Sequence, residues 1–126
     1  MNCILIVLIS FISYGLSAQA LDCSNYHYGK YKFIETKSNT NVRIERIGDK
    51  QIEVDLTNGK TSIFRVNWIN DCEYELTLVE GSSEYVSFYR NKTLIIRIIE
   101  KYIDGYRFEG HIKGSREYKS HFMRFL

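Results

Sequence analysis

Proline is absent from the 126-residue sequence, and tryptophan occurs only once. The absence of proline excludes Pro-rich linkers and collagen-like repeats. It suits a fold of many β-strands, because proline lacks the N–H that a strand ladder uses. An excess of positive charge is also lacking, since 17 lysines and arginines stand against 15 aspartates and glutamates. This balance gives no reason to expect nucleic acid or anionic lipid as a partner.

A hydrophobic segment long enough to span a membrane is lacking as well. The apolar run over residues 4–12 is shorter than the roughly 20 residues that a bilayer requires. It carries no charge and is followed by small residues at Ala18 and Ala20, a pattern typical of a secretory signal peptide. The sequence therefore predicts a signal peptide over residues 1–20, cleaved after Ala20 or Ala18. We expect a secreted or periplasmic protein without stable membrane insertion after cleavage.

Three cysteines are present, and none belongs to a Cys-x-x-Cys motif. Cys3 lies in the predicted signal peptide, which leaves Cys23 and Cys72 in residues 21–126. In an oxidising compartment an even pair of cysteines is more often a structural bridge than a redox or metal site. The sequence predicts a disulfide between Cys23 and Cys72 within a single domain that covers residues 21–126.

Apolar residues alternate with polar ones along residues 21–126, and turn residues recur between the alternating segments. This pattern predicts β-strands and no long helix. The eight predicted strands are Tyr28 to Glu35, Asn41 to Ile47, Gln51 to Leu56, Thr61 to Ile69, Cys72 to Val79, Thr93 to Tyr102, Tyr106 to Lys113 and Glu117 to Phe125.

The register of two hairpins follows from keeping the apolar rows on one face. A three-residue loop over 57–59, with Gly59 left-handed, places Ile52 beside Phe64. In the next hairpin, a loop over 69–71 places Trp68 beside Cys72. The predicted inner face comprises Tyr31, Phe33, Val42, Ile44, Ile52, Val54, Leu56, Phe64, Val66, Trp68, Tyr74, Leu76, Leu78, Leu94, Ile96, Ile98, Tyr106, Phe108 and Ile112. The carboxylates Glu53, Asp55, Glu73, Glu75 and Glu109 are expected on the outer face.

Eight sequential strands joined by short turns remove their exposed edges most simply by closing, the first strand pairing with the last. The predicted fold class is therefore all-β, an eight-stranded antiparallel up-and-down barrel. Strand direction places Cys23 and Cys72 at the same end, where all connections are tight. The opposite end carries residues 36–40 and the long segment 80–92, so this end is the one expected to open.

The leading Cys23, the motif Tyr28-x-x-Tyr31-x-Phe33 and the segment from Val66 to Leu76 resemble small exported lipocalin-like, calycin-type proteins of Bacteroidetes bacteria. The resemblance covers residues 23–125 in layout. It implies an eight-stranded barrel and no agreed activity. The sequence Tyr28-Gly29-Lys30-Tyr31 replaces the glycine-x-tryptophan signature that opens typical lipocalins.

Residues suited to catalysis or metal binding do not form a recognisable pattern. His27, His111 and His121 are the three histidines; His111 is expected opposite Tyr118 rather than His121, and all three are interpreted as surface residues. The serines lie mostly in turns without a nucleophile-elbow sequence, and glycine-rich phosphate loops are absent. The sequence predicts a protein that is not an enzyme and has no cofactor and no metal site.

The interior of the barrel is the first candidate site. An eight-stranded barrel is either filled by its side chains or holds one small ligand. The many large aromatics favour a filled or shallow interior, and a ligand-sized cavity is the alternative. The candidate ligand-binding residues on the predicted inner face are Tyr31, Phe64, Trp68, Tyr74 and Tyr106.

Residues 80–92 form the second candidate, with Tyr85, Phe88 and Tyr89 also assigned to ligand binding. Their spacing places all three on one side of a short helix near residues 82–91. Such a helix either plugs the barrel as part of its core or covers the mouth as a lid. The residues expected around this mouth are mildly basic, which favours a small hydrophobic or anionic ligand.

The leading hypothesis is non-catalytic binding of a small apolar or amphipathic molecule. The alternative is a protein-interaction module, such as an inhibitor or a cell-envelope accessory factor, with a filled barrel core.

Overall fold

Eight antiparallel strands follow one another along the chain and close into a barrel in the order β1 to β8. The computed structural model describes residues 21–126, and the predicted signal peptide lies outside the described residues. A 3-10 helix, Ser24–Tyr26, precedes the barrel, and one α-helix, α1 (Ser83–Tyr89), lies between β5 and β6. The strands are β1 Gly29–Glu35, β2 Thr40–Ile47, β3 Lys50–Asp55, β4 Thr61–Asn70, β5 Glu73–Glu80, β6 Leu94–Tyr102, β7 Gly105–Ile112 and β8 Lys119–Phe125.

The predicted barrel and the predicted short helix are both confirmed. The strands begin and end within two residues of the predicted bounds, and the barrel closes through pairing of Tyr31 with Phe125 and of Phe33 with Met123. The disulfide between Cys23 and Cys72 is present. Among residues 21–126, no helix has the length and apolar character needed to cross a membrane.

The predicted register of the β3–β4 hairpin is wrong by one residue. Phe64 pairs with Gln51, and Ile52 pairs with Ile63. The loop contains four residues rather than three, because Asp55 still donates its backbone N–H to the Lys60 carbonyl. Gly59 has the predicted left-handed conformation, with φ of 73°. Strand side chains alternate between faces, so one added loop residue reverses the face of every β3 side chain.

The reversal of β3 corrects the predicted inner face. Gln51 is buried, and Glu53 lines the barrel interior. Ile52 and Val54 alternate with them and lie on the outer face, where both are half-buried. Leu56, also predicted to face inward, is exposed in the loop. The interior is therefore more polar than the sequence pattern predicts.

The predicted β4–β5 register is wrong by two residues, which leaves the faces unchanged. Trp68 pairs with Tyr74 rather than with Cys72, and Val66 pairs with Leu76. The shift arises because β4 continues through Asn70, whose side-chain oxygen accepts the backbone N–H of Cys72. A shift of an even number of residues keeps each side chain on its predicted face.

One end of the barrel is closed by the segment that precedes β1. Cys23 is fully buried, and its disulfide to Cys72 holds the 3-10 helix against this end. Tyr26 packs over Tyr106 and Phe125, with ring centroids at 4.9 and 5.5 Å respectively. These contacts form the closed end that the strand directions predict.

Gly105 lies where two strands approach too closely for any side chain. A Cβ atom at this position would stand 2.0 Å from the Met123 carbonyl oxygen and 2.8 Å from the Phe122 ring. Gly105→Ala is expected to lower the free energy of unfolding by about 2 kcal/mol, because the backbone of β8 must move. Urea denaturation followed by circular dichroism measures this change. The matched control is Gly48→Ala, where the added Cβ meets no atom and only the positive φ is strained; equal losses in the two variants would contradict the steric explanation.

Candidate functional site

The half of the barrel away from the closed end contains a cavity of about 270 Å³ that is open at the mouth. An engineered apolar cavity of about 150 Å³ holds one benzene molecule, so this space accommodates a small ligand. Its walls are mostly apolar, formed by Phe33, Val42, Ile44, Leu76, Leu94, Ile96, Phe108 and Met123. The sequence left two alternatives, a filled or shallow interior and a ligand-sized cavity. In the structure the closed end of the barrel is filled by side chains, and the cavity lies above it.

Arg46 forms the centre of the filled end, and only 2% of its surface is exposed. Its Nη2 donates to the Tyr74 hydroxyl at 2.6 Å and to the Tyr106 hydroxyl at 2.7 Å. Nη1 donates to the Tyr26 carbonyl at 2.8 Å, and Nε donates to Gln51 Oε1 at 2.9 Å. A buried guanidinium requires such partners, because it carries several N–H donors and remains charged in proteins.

Aromatic faces also surround the Arg46 charge. Its guanidinium carbon lies 4.7 Å from the ring centre of Tyr31 and 4.9 Å from that of Tyr74. Burial raises the pKa of Tyr74 well above its ordinary value, although the Arg46 charge opposes this. Tyr74 therefore stays neutral, and its hydroxyl oxygen accepts a hydrogen bond from the guanidinium.

Gln51 links this arginine to the cavity. Because Arg46 has only donors, the Gln51 side-chain oxygen must point toward it, and the amide NH₂ must point away. That NH₂ donates to Glu53 Oε1 at 2.9 Å. The three side chains form a continuous path from the filled end to a carboxylate on the cavity wall.

Glu53 is the acidic group on the wall between the filled end and the mouth. Burial raises its pKa above 4.5, while the hydrogen bond from Gln51 and the charge of Arg46 lower it less. Burial is the main cause of the raised pKa of Tyr85 and of Tyr89, and the negative charge of Glu53 is the next cause. The pKa of Tyr89 is raised to about 12. Glu53 and the two tyrosines of α1 line the same cavity.

Further charged side chains line the mouth. Glu35, Lys119 and His121 border the cavity. His121 is half-buried and lies edge-on to the ring of Phe33 at 5.3 Å. A recess of about 40 Å³ adjoins the cavity and shares Val42, Glu53 and Tyr85 with it; its charged lining residues are Glu53, Asp55, Lys60 and Glu84.

Helix α1 closes part of the mouth. Ser82 caps it by accepting the backbone N–H of Tyr85, which satisfies one of the free donors at a helix start. Tyr85 and Tyr89 line the cavity, and Tyr89 packs edge-on against Phe64 with centroids 5.5 Å apart. Phe88 is 54% exposed, with the Lys92 ammonium 4.5 Å above its ring. The helix therefore directs two of its three aromatics inward.

The eight predicted ligand-binding residues fall into separate groups. Three of them line the cavity, namely Tyr74, Tyr85 and Tyr89. Three lie outside the cavity lining in the packed core, namely Tyr31, Phe64 and Tyr106. Phe88 is exposed at the surface of α1, and Trp68 stacks on His27 with ring centroids 3.5 Å apart.

The remaining histidines have local partners. His27 Nε2 lies 2.8 Å from the Asp71 carbonyl oxygen. The rings of His111 and Tyr118 lie 4.4 Å apart, as the register of the last hairpin predicts. No group of three or more histidine, cysteine or acidic side chains in residues 21–126 is placed to hold a metal ion.

Comparison with known proteins gives no relative for this chain. No family model, no curated protein and no solved structure matches it. The resemblance to exported lipocalin-like proteins stays a prediction, and the function must be inferred from the cavity and its lining.

Two residues that shape the site were missed by the sequence interpretation. Arg46 is in phase with Val42 and Ile44, both of which face inward, so strand alternation alone was sufficient to place it inside. Glu53 had no such signal, because its face depends on the length of the loop that follows β3.

Proposed function

We propose that this protein binds one small apolar or amphipathic molecule inside the barrel and does not transform it. The observation that carries the proposal is the cavity of about 270 Å³ with mostly apolar walls and a few polar groups. Small-molecule sites in proteins have this composition, the apolar walls supplying affinity and the polar groups fixing orientation.

The volume limits how much of a ligand lies inside the cavity. If about 150 Å³ holds the six carbons of benzene, then 270 Å³ holds roughly eleven non-hydrogen atoms. A long-chain fatty acid exceeds that number. The volume therefore favours a molecule with one ring, or a short branched chain, over an extended lipid.

We also propose that the protein is exported and acts in the periplasm or outside the cell. The disulfide between Cys23 and Cys72 is compatible with an oxidising compartment, where such bonds persist. The predicted signal peptide over residues 1–20 is the other support. N-terminal sequencing of the exported protein tests this, with Leu21 or Gln19 expected as the first residue.

Filling the cavity is expected to abolish binding. Leu94 lines the cavity, whereas Ile95 follows it on the outer face of β6. Leu94→Trp should reduce affinity for the neutral fluorescent probe 1-aminonaphthalene by about tenfold or more, because the indole occupies the space of the ligand. Ile95→Trp, the matched control, should bind like the wild type. A thermal unfolding curve for each variant checks that both are folded.

Native mass spectrometry of the protein purified from its own host complements this titration. A small co-purifying molecule that is present in the wild type and absent from Leu94→Trp supports the proposal. Equal binding of the probe by both tryptophan variants would contradict it.

The alternative function is a protein-interaction module. What supports it is the apolar outer surface at β3 to β5, where Ile52 pairs with Ile63 and Val79 is exposed. A wild type that binds neither probe nor host molecule, but is captured by a specific partner through this surface, would favour this alternative. The cavity favours small-molecule binding.

A further inference from the structure

Glu53 places a carboxyl group in the cavity without a direct ionic partner. Its one hydrogen bond in the described part of the chain comes from the Gln51 amide, at Oε1. Neither of the two ion pairs within residues 21–126 includes it. A carboxylate partly shielded from water without an adjacent cation is unfavourable, and a ligand that brings a positive charge relieves this penalty.

We propose that the cavity selects a small organic ammonium ion, with the nitrogen at Glu53 and the apolar part of the ligand against the walls beyond it. This inference rests on the proposed function, because it names the class of ligand for the same cavity.

The tyrosines of α1 supply the second attraction for a cation. Tyr85 and Tyr89 border the same cavity as Glu53, and their rings lie edge to face with centroids 5.9 Å apart. The face of an aromatic ring attracts a positive charge within about 6 Å. Tyr74 also lines the cavity, but its ring already packs against the Arg46 guanidinium. The positive charge of Arg46 repels an ammonium ion there and favours its binding at the tyrosines of α1.

The other charges near the mouth also favour a cation. The cavity and its recess together present four carboxylates against two ammonium groups and the Arg46 guanidinium, which lies behind Gln51 at the filled end. An anionic ligand, which the sequence alone favours, would have to lie beside Glu53 and be repelled by it. The carboxylates are Glu35, Glu53, Asp55 and Glu84, and the ammonium groups are Lys60 and Lys119.

The cation that fits is organic rather than metallic. Calcium requires six to eight oxygen ligands, but no group of three or more histidine, cysteine or acidic side chains in residues 21–126 is placed to hold a metal ion. The cavity beyond Glu53 has mostly apolar walls, which suit the apolar part of an organic cation. Room for roughly eleven non-hydrogen atoms suits an ammonium group joined by a short chain to a single ring.

Isothermal titration calorimetry with three matched probes tests the charge preference. The probes are 2-phenylethylammonium, neutral 2-phenylethanol and anionic phenylacetate, which share one ring and differ mainly in charge. The titrations are made at about pH 8, well above the ordinary pKa of a carboxyl group. We expect the ammonium to bind about tenfold or more tightly than the alcohol, and phenylacetate to bind weakest.

Glu53→Gln assigns the preference to one side chain. The amide keeps an acceptor for Gln51 and removes the charge. Affinity for the alcohol should be unchanged, while the advantage of the ammonium should fall to within about twofold. The matched control is Glu45→Gln, which removes an acid from the outer face of β2, opposite Ile52, and should leave all three affinities unchanged.

Thermal unfolding as a function of pH separates binding from a purely structural role. Because burial raises the pKa of Glu53, the folded state binds its proton more tightly than the unfolded state, and stability falls as pH rises from about 4.5 through the raised pKa. Glu53→Gln should lose this fall and melt above the wild type near neutral pH. The groups facing or neighbouring Glu53 in this titration are Glu35, Arg46, Gln51, Asp55, Lys60, Tyr74, Glu84, Tyr85, Tyr89, Lys119 and His121.

The possible results are distinguishable. If alcohol and ammonium bind alike, or if phenylacetate binds tightest, the ammonium proposal is overturned while small-molecule binding stands. If no probe binds, both the ammonium proposal and the proposed small-molecule binding are overturned. If Glu53→Gln melts below the wild type and retains the ammonium preference, Glu53 is a structural counter-ion for Arg46 and the proposal is overturned.

Discussion

Arg46→Met is expected to lower the free energy of unfolding by about 3 to 5 kcal/mol. The substitution removes four hydrogen bonds and leaves the hydroxyls of Tyr74 and Tyr106 without their donor. A buried polar group without a partner costs about 1 to 3 kcal/mol. Methionine fills much of the space, so the loss reports the polar contacts more than a cavity. Urea denaturation followed by circular dichroism measures it.

Arg43→Met is the matched control, because Arg43 lies on the same strand with an exposed side chain. Its effect should stay within about 0.5 kcal/mol. Arg46→Lys should give an intermediate loss of stability. An ammonium group retains the charge, but it lacks the planar array of donors with which the guanidinium reaches several acceptors at once. If Arg46→Met has wild-type stability, the tyrosines around Arg46 pack stably at the filled end without the guanidinium.

A double-mutant cycle identifies the origin of the loss. If the unpaired hydroxyls carry it, Tyr74→Phe should be less destabilising in the Arg46→Met background than in the wild type. Simple additivity of the two changes would instead assign the loss to packing.

Removing the disulfide by the paired substitution of Cys23→Ala and Cys72→Ala is expected to destabilise the domain by about 4 kcal/mol. The bond spans 49 positions of sequence, and closing a loop of that length restricts the unfolded chain. The same bond holds the 3-10 helix whose Tyr26 closes the barrel. Loss of near-ultraviolet circular dichroism from the tyrosines should therefore accompany the loss of stability.

Reduction of the wild type provides the comparison for the double variant. Dithiothreitol should lower the stability of the exported wild type to nearly that of the double variant and leave the double variant unchanged. Mass spectrometry should show a gain of two hydrogens on reduction of the wild type. A loss of less than about 1 kcal/mol would mean that packing around Tyr26 holds this end without the covalent bond.

The strand count and the barrel were predictable because their signals are local. Alternation of apolar and polar residues, and turn residues such as those around Gly59, belong to short segments of sequence. The ends of the barrel follow from strand direction alone, which also places Cys23 beside Cys72. These conclusions required no knowledge of how side chains fill the interior.

The face of β3 was not predictable from the same signals. Ile52 and Val54 are apolar and the side chains of Gln51 and Glu53 are polar, so alternation places the wrong pair inside. The polar pair is stable in the interior because Gln51 accepts from Arg46 and donates to Glu53. Contacts among three side chains on two strands outweigh the apolar pattern of one strand, and a single loop residue decides between them.

Eight strands, a closed barrel, a disulfide at one end and a short helix at the other therefore follow from local sequence patterns. The packed closed end, the cavity above it and the inward position of Glu53 follow from the packing of the folded chain. The physical reason is that periodicity and turn residues act over a few positions, whereas a cavity is the space that side chains from many strands leave between them. Whether Glu53 faces the cavity depends on whether the β3–β4 loop has an even or an odd number of residues.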